Sequence, residues 1–204
     1  MKHWLNLLAA LFFTASVAAA DLPPDQLVKD VTNEVLDIVR QDKDIQSGNT
    51  KKTLALVETK VLPHFNFTRM TQLALGKEAR KASPEQLAAL TEEFRTLLVR
   101  TYSKALTEYR DQQIVFKPTK IEAGATDVKV RTEIKQSGGK PISLDYYLEK
   151  QPAGWKVYDV EVGGVSLVTN YRASFAQEIQ AGGIDGLIKS LQAKNKSGEA
   201  AKSK

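Results

Sequence analysis

The sequence predicts an α+β fold: a curved, four-stranded antiparallel sheet covered on one face by helices. Three observations predict it. Between Asp25 and Tyr109, apolar residues recur at intervals of three and four, the spacing of helices buried along one stripe. From Gln113 to Val162 the period drops to two, and Gly124, Ser137-Gly138-Gly139 and Pro152-Ala153-Gly154 punctuate the stretch. After Gly163-Gly164 the helical spacing returns. Turns this short join antiparallel neighbours, so the order reads as helices, meander, helices, not as alternating βαβ units.

The first twenty of the 204 residues stand apart. Lys2 precedes an apolar run from Leu5 to Phe13, and Ala18 and Ala20 form the small-residue end of a secretory signal peptide. Cleavage is expected after Ala20. The run is short for a membrane span, and no cysteine follows it to carry a lipid anchor. Residues 21–194 are expected to form one domain and 195–204 a disordered basic tail. Removal of the segment containing Lys2 lowers the formal net charge from +5 to +4. With no cysteine, stability has to come from a hydrophobic core.

Each element has its own signal. Pro23-Pro24 and a capping Asp25 open a first helix whose inward face is Leu27, Val28, Val31, Val35, Ile38 and Val39. Gln41 to Asn49 reads as a polar loop. A second helix runs from Thr50 and stops before Pro63. Asn66 caps a third, short helix, which Gly76 ends. Ser83-Pro84-Glu85-Gln86 is a capping box with proline in the first turn. The apolar spacing behind it holds from Leu87 through Tyr109, and this long helix is expected to cross the open side of the sheet. The strands are read as Gln113–Glu122, Asp127–Gln136, Ile142–Gln151 and Trp155–Val162. Val165–Ala181, a Gly182-Gly183 break and Ile184–Ala193 complete the chain as helix.

Several chemistries lack their residues. Beyond residue 20 the only histidine is His64, and no carboxylates cluster at ligand spacing, so no metal or other cofactor is expected. Ser166 lacks the second glycine of a nucleophile elbow and reads as a helix cap. Neither a P-loop nor a dinucleotide fingerprint occurs. Lys and Arg interleave with acids, as on a solvated helix face, and together with export this argues against a nucleic-acid partner.

What is abundant is apolar surface. Phe65, Phe67, Met70, Leu73, Leu75, Phe94, Leu98, Tyr102, Tyr147, Leu148, Val165, Val168 and Tyr171 are expected to wall an apolar cavity between helices and sheet. Tyr109, Arg110 and Arg172 are expected at its mouth. Gly163-Gly164 and Gly182-Gly183 supply backbone freedom for the walls to part.

Leu62-Pro63 with Phe65, Leu75-Gly76, Phe94-Arg95 with Tyr102, Leu144-Asp145, Tyr158-Asp159, Gly164-Val165-Ser166 and Gly183-Ile184-Asp185-Gly186-Leu187 occur in an order and spacing that cover the chain beyond its first twenty residues. In these the chain resembles the MlaC family, also called the toluene-tolerance Ttg2D family, of periplasmic phospholipid-binding proteins. The resemblance implies a half-cone related to the nuclear-transport-factor-2-like fold, with extra helices. It implies a non-enzymatic, monomeric carrier that ferries phospholipid through the periplasm and so maintains outer-membrane lipid asymmetry. Its implied partners are an outer-membrane lipoprotein–porin complex and an inner-membrane ABC transporter complex with its periplasmic lipid-binding subunit. About thirty methylenes at roughly 0.8 kcal/mol each make exposure of two acyl chains cost some 25 kcal/mol, so a carrier hides the tails and leaves the headgroup in water. Two alternatives remain. One is a small exported isomerase-like enzyme using Asp159 with Tyr158 or Tyr171 as an acid–base pair; the other is an adaptor that binds proteins and no lipid.

Overall fold

The computed structural model describes residues 22–202, with side chains through residue 197. The expected signal peptide and its cleavage point lie outside the described residues. Helix α1 (Pro24–Gln41) takes Pro24 at its first turn, where a missing N–H leaves no bond unmade. Pro23, not Asp25, holds the cap position, and Asp25 puts its charge in the first turn, near the positive helix end. The expected polar loop contains a short helix, α2 (Lys43–Gln46), because the Asp42 carboxylate accepts from the backbone N–H groups of Asp44 (2.9 Å) and Ile45 (3.2 Å).

Helix α3 (Thr50–Leu56) gives way to a π turn, Val57–Val61, and a 3-10 turn, Leu62–His64. The Thr59 hydroxyl bonds the carbonyls of Ala55 (2.8 Å) and Leu56 (3.3 Å) where the turns widen, and Pro63 sits in the first turn of the 3-10 segment, where its missing N–H leaves no bond unmade. Helix α4 (Phe67–Leu75) is capped by Asn66 and closed by Gly76 at φ 58°, followed by a 3-10 segment, Gly76–Lys81. Helix α5 (Pro84–Tyr102) begins with the expected capping box. It stops short of Tyr109. The chain turns at Ser103 into α6 (Lys104–Thr107), and Tyr109 packs with Val35 and Val39 of α1.

The sheet has five strands, not four: β1 (Gln113–Phe116), β2 (Asp127–Lys135), β3 (Ile142–Gln151), β4 (Gly154–Val162) and β5 (Val165–Ser166), all antiparallel and in sequence order. β1 is shorter than expected, since Pro118 has no N–H for the ladder. The extra strand comes from the glycines. Gly163 (φ 59°) and Gly164 (φ 85°) both adopt the left-handed region that a two-residue hairpin turn requires. Val165 is therefore returned beside Val162, and Ser166 beside Glu161, instead of entering the helix.

Strand β4 changes phase midway. Trp155 and Val157 share a face, and so do Val160 and Val162, but the two pairs have opposite parity. A bulge opposite Tyr147/Leu148 absorbs Tyr158 and brings both pairs to the same side.

Helix α7 (Leu167–Lys202) is broken at Gly183 (φ 68°) into segments 167–182 and 184–202. It continues to Lys202, into the stretch expected as a disordered tail. Asn195 is buried, its side-chain amide donates to the Glu93 carbonyl (3.0 Å) and carboxylate (2.8 Å), and its own carbonyl accepts from Arg100.

Burial falls into three clusters. Helices α4, α5 and α7 enclose Met70, Leu90, Phe94, Phe175 and Leu187. The sheet buries Val128, Val130, Leu148, Trp155 and Val157 with Val28 of α1. The other end of α1 packs Val35 and Val39 with Ile45, Leu56 and Tyr109. The long helix α5 thus packs on α4 and α7, not across the sheet. The sheet is met by α1, by Phe65 and by Leu167.

The start of α7 is held by two side chains. Ser166 Oγ accepts from the N–H of Thr169 (3.0 Å) and donates to Asp159 Oδ2 (2.5 Å), while Asp159 Oδ1 accepts from the N–H of Val168 (3.2 Å). Ser166→Ala and Asp159→Ala are each expected to cost about 1 kcal/mol in urea unfolding, and the double variant less than the sum, because the two residues cap one helix end together.

Candidate functional site

Strand register assigns the two faces of the sheet. Val128, Val130, Thr132 and Ile134 of β2 share a face with Ile142, Leu144, Tyr146 and Leu148 of β3, with Val160 and Val162 of β4, and with Val165 of β5. At one end of this apolar face Val128, Val130, Leu148, Trp155 and Val157 are buried. At the other end the cover stops. Ile142, Val162 and Val165 are 36%, 37% and 56% exposed, and Ile134, Leu144 and Tyr146 are half-buried. The pairs Ile134–Ile142, Leu144–Val162 and Val162–Val165 make these side chains contiguous. A contiguous uncovered apolar surface, unlike scattered single residues, marks a binding surface.

Tyr146 stands at the boundary between covered and uncovered halves. Burial pushes its phenol up to about 12, against the pull of a hydrogen bond from the Thr32 side chain of α1. The hydroxyl thus sits in the seam between α1 and the sheet while part of the ring remains reachable.

The opposite face is polar. Lys129 contacts Asp145 (2.9 Å) and Glu161 (3.3 Å) and lies 4.9 Å from the centroid of the Tyr147 ring. Tyr147, Asp145 and Glu161 hold the Lys129 ammonium above its ordinary range. Tyr147 donates to Glu161 (2.8 Å) and Tyr158 to Asp127 (2.9 Å). Burial and the bond to Asp127 raise Tyr158.

The residues expected around a cavity are distributed by these faces. Met70, Leu75, Phe94, Leu98 and Val168 are buried together, with Phe65, Phe67, Leu73 and Tyr171 packed against them. Phe94 sits edge-on to Tyr171 and Phe175, each at 5.1 Å. Leu148 belongs to the sheet cluster, and Phe65 touches both clusters. Tyr147 has the opposite parity to Leu148 and lies on the polar face. Tyr102 is 39% exposed beside the Tyr171 hydroxyl, and Val165 lies on the uncovered half. Two depressions stand out on the surface. One of 440 Å³ is lined by Arg69, Gln72, Leu73, Gly76, Ala79, Arg80 and Arg172, and one of 360 Å³ by Thr119, Lys120, Glu122, Ala125, Asp127, Val128, Lys129 and Arg131. Neither is the enclosed apolar cavity expected; the wall residues that come together in the helix cluster pack on one another.

The expected mouth residues have structural tasks. Tyr109 is buried, accepts from Arg40 (2.6 Å) and donates to the Gln112 carbonyl (3.0 Å). Arg110 donates to the carbonyls of Thr107 and Tyr109, both at 2.7 Å. Arg172 donates through Nε (3.1 Å) and Nη2 (2.9 Å) to the carbonyl of Leu73, one of the orphan acceptors at the end of α4. Asp159 is spent on the start of α7, and Tyr158 and Tyr171 are bonded elsewhere, so the weighed acid–base pair is not assembled. Among the described residues no three His, Cys, Asp or Glu side chains gather as a metal site. Burial, then the charge of Lys156, holds His64 below its ordinary range.

The sequence contained the uncovered half in its alternation of Ile142, Leu144 and Tyr146. What it did not contain was which end the helices leave bare. The family model described as the MlaC protein matches residues 29–193. The chain belongs to the MlaC family. Among its relatives is the toluene tolerance protein Ttg2D of Pseudomonas putida, 29% identical over 205 residues, covering 100% of this chain and 93% of that protein. Another is the intermembrane phospholipid transport system binding protein MlaC of Haemophilus influenzae, 27% identical over 200 residues, covering 94% of this chain and 92% of that protein. A solved structure of a phospholipid-binding protein from Ralstonia solanacearum in complex with a phospholipid is similar throughout, with a TM-score of 0.81 at 37% identity. It spans 87% of this chain and 99% of its own. The α+β arrangement described above is therefore shared with that phospholipid-binding protein.

The raised phenol of Tyr146 has a pH signature. The folded chain keeps the proton up to about 12, whereas the unfolded chain releases it near 10.0. The stability this group contributes is complete below pH 10 and is lost as the pH rises toward 12. Urea unfolding is expected to show the wild type losing more stability than Tyr146→Phe across that window.

Proposed function

We propose that this MlaC-family chain is a periplasmic phospholipid carrier that holds acyl chains against the uncovered half of its sheet and leaves the headgroup in water. The observation that carries the reading is that bare apolar half, bounded by Ile142, Leu144, Tyr146, Val162 and Val165. Supporting it, a similar solved protein holds a phospholipid, and a curated relative is named for intermembrane phospholipid transport. The remaining wall is the face of the helix cluster that carries Phe65, Phe67 and Tyr171. These side chains are only half-buried, and Phe65 packs with the sheet cluster as well, at the margin between the two. A diacyl lipid needs more room than the packed margin offers, so loading parts the clusters. Phe65, shared by two of them, changes partners when it happens.

The binding energy is hydrophobic and unspecific for the headgroup. Covering two tails is worth up to about 25 kcal/mol before the cost of opening the margin. The proposed route runs between an outer-membrane lipoprotein–porin complex and an inner-membrane ABC transporter complex with its periplasmic lipid-binding subunit. It fits the signal-like first twenty residues and a chain in which no described helix is long and apolar enough to cross a membrane. We assign it no catalytic step, in keeping with the use of Asp159 as a helix cap.

The protein purified from its native compartment is expected to carry extractable phospholipid detectable by mass spectrometry. Val162→Asp places a carboxylate where tails lie and is expected to weaken retention about tenfold. Lys129→Gln, on the polar face, is expected to leave retention unchanged. Equal lipid content in wild type and Val162→Asp removes the sheet face from the site.

A further inference from the structure

The 440 Å³ depression on the helix cluster is lined by three arginines from three different elements and by no carboxylate. Arg69 comes from α4, Arg80 from the 3-10 segment and Arg172 from α7. Two of the three are held in place. Arg172 is fixed by its two bonds to the Leu73 carbonyl, and Arg69 lies over the Tyr158 ring with Glu149 at 3.7 Å. Arg80 is exposed and has no ion-pair partner among the described residues. Gly76 lines the hollow at φ 58°, a backbone conformation in which a side chain would be strained. Lys77 and Lys81 flank it, with Glu78 engaged by Lys81 at 2.8 Å. Held guanidinium groups around an open hollow are matched in shape and charge to carboxylates.

The lining decides what bears those carboxylates. Its apolar side chains are Leu73 and Ala79, and the neighbouring α4 residues Ala74, Leu75 and Met70 are 0%, 4% and 1% exposed, packed into the helix core. Two such side chains do not cover two acyl chains, so a lipid headgroup seated here would leave its tails in water. We infer that the depression docks an acidic segment of a partner protein, with Arg69, Arg80 and Arg172 receiving its side-chain carboxylates. This surface is separate from the uncovered sheet and does not rest on the lipid-carrier reading.

An oligoglutamate peptide titrated into the full chain by calorimetry tests the assignment. Binding is expected at low salt, weakening as salt rises. Arg80→Glu exchanges attraction for repulsion and is expected to weaken it about tenfold. Arg80 makes no contact the fold depends on, and urea unfolding of the variant checks that. Lys51→Glu makes the same change of net charge at an exposed site on α3 and is expected to leave binding unchanged. Four results overturn the docking assignment: no peptide binding by the wild type, an equal loss in Lys51→Glu, displacement of the peptide by millimolar inorganic phosphate, or Arg80-dependent binding to phosphatidylglycerol vesicles in preference to the peptide. Phospholipid content is expected to be the same in wild type and Arg80→Glu, so failure here is distinguishable from failure of the carrier reading.

Discussion

A sheet with one apolar and one polar face has to hide the apolar one, and this chain hides only half of it. The polar face needs no cover: Lys129, Asp145, Glu161 and Tyr147 satisfy each other there. The apolar face receives α1, Phe65 and Leu167 over Val128, Val130, Leu148 and Val157, and nothing comparable over Ile142, Val162 and Val165. Leaving those three partly in water forgoes roughly 1 kcal/mol each. On the proposed reading, that one contiguous place is kept for another molecule's hydrocarbon.

The bare half exists because of where α7 is sent. Gly163 and Gly164 turn the chain through a tight hairpin, and Asp159 and Ser166 cap the helix that follows. α7 consequently leaves β5 to pack on α4 and α5, building a second core beside the sheet instead of a lid upon it. Separate clusters, two of them joined by Phe65, allow room to be made between them without exposing any one cluster. The same division leaves α4, α7 and the 3-10 segment free to present arginines outward, away from the apolar face.

Much of this was legible in the residues. The capping box at Ser83, the cap at Asn66 and strand β3 to the residue follow from short-range chemistry that a sequence displays directly. The errors come from interactions that do not. Val165 is returned to the sheet by two left-handed glycines, although its spacing suits a helix. Tyr109 packs against α1 because the chain turns at Ser103. Tyr147 and Leu148 are adjacent in a strand, so only one of them can face the helices; parity alone excludes Tyr147. Arg172 looked free for a headgroup, but the open carbonyl of Leu73 claims it, and only the packing of α7 on α4 brings that carbonyl within reach.

The central claim is that hydrocarbon lies on the uncovered end of the sheet. A phospholipid bearing a photoreactive diazirine near the end of an acyl chain, loaded into the protein and irradiated, reports the answer as adducts mapped by mass spectrometry. The account predicts adducts on Ile142, Leu144, Tyr146 and Val162, with Phe65 and Tyr171 opposite. Adducts concentrated on Lys129, Tyr147 and Tyr158 of the polar face, or around Arg69 and Arg80, would contradict it.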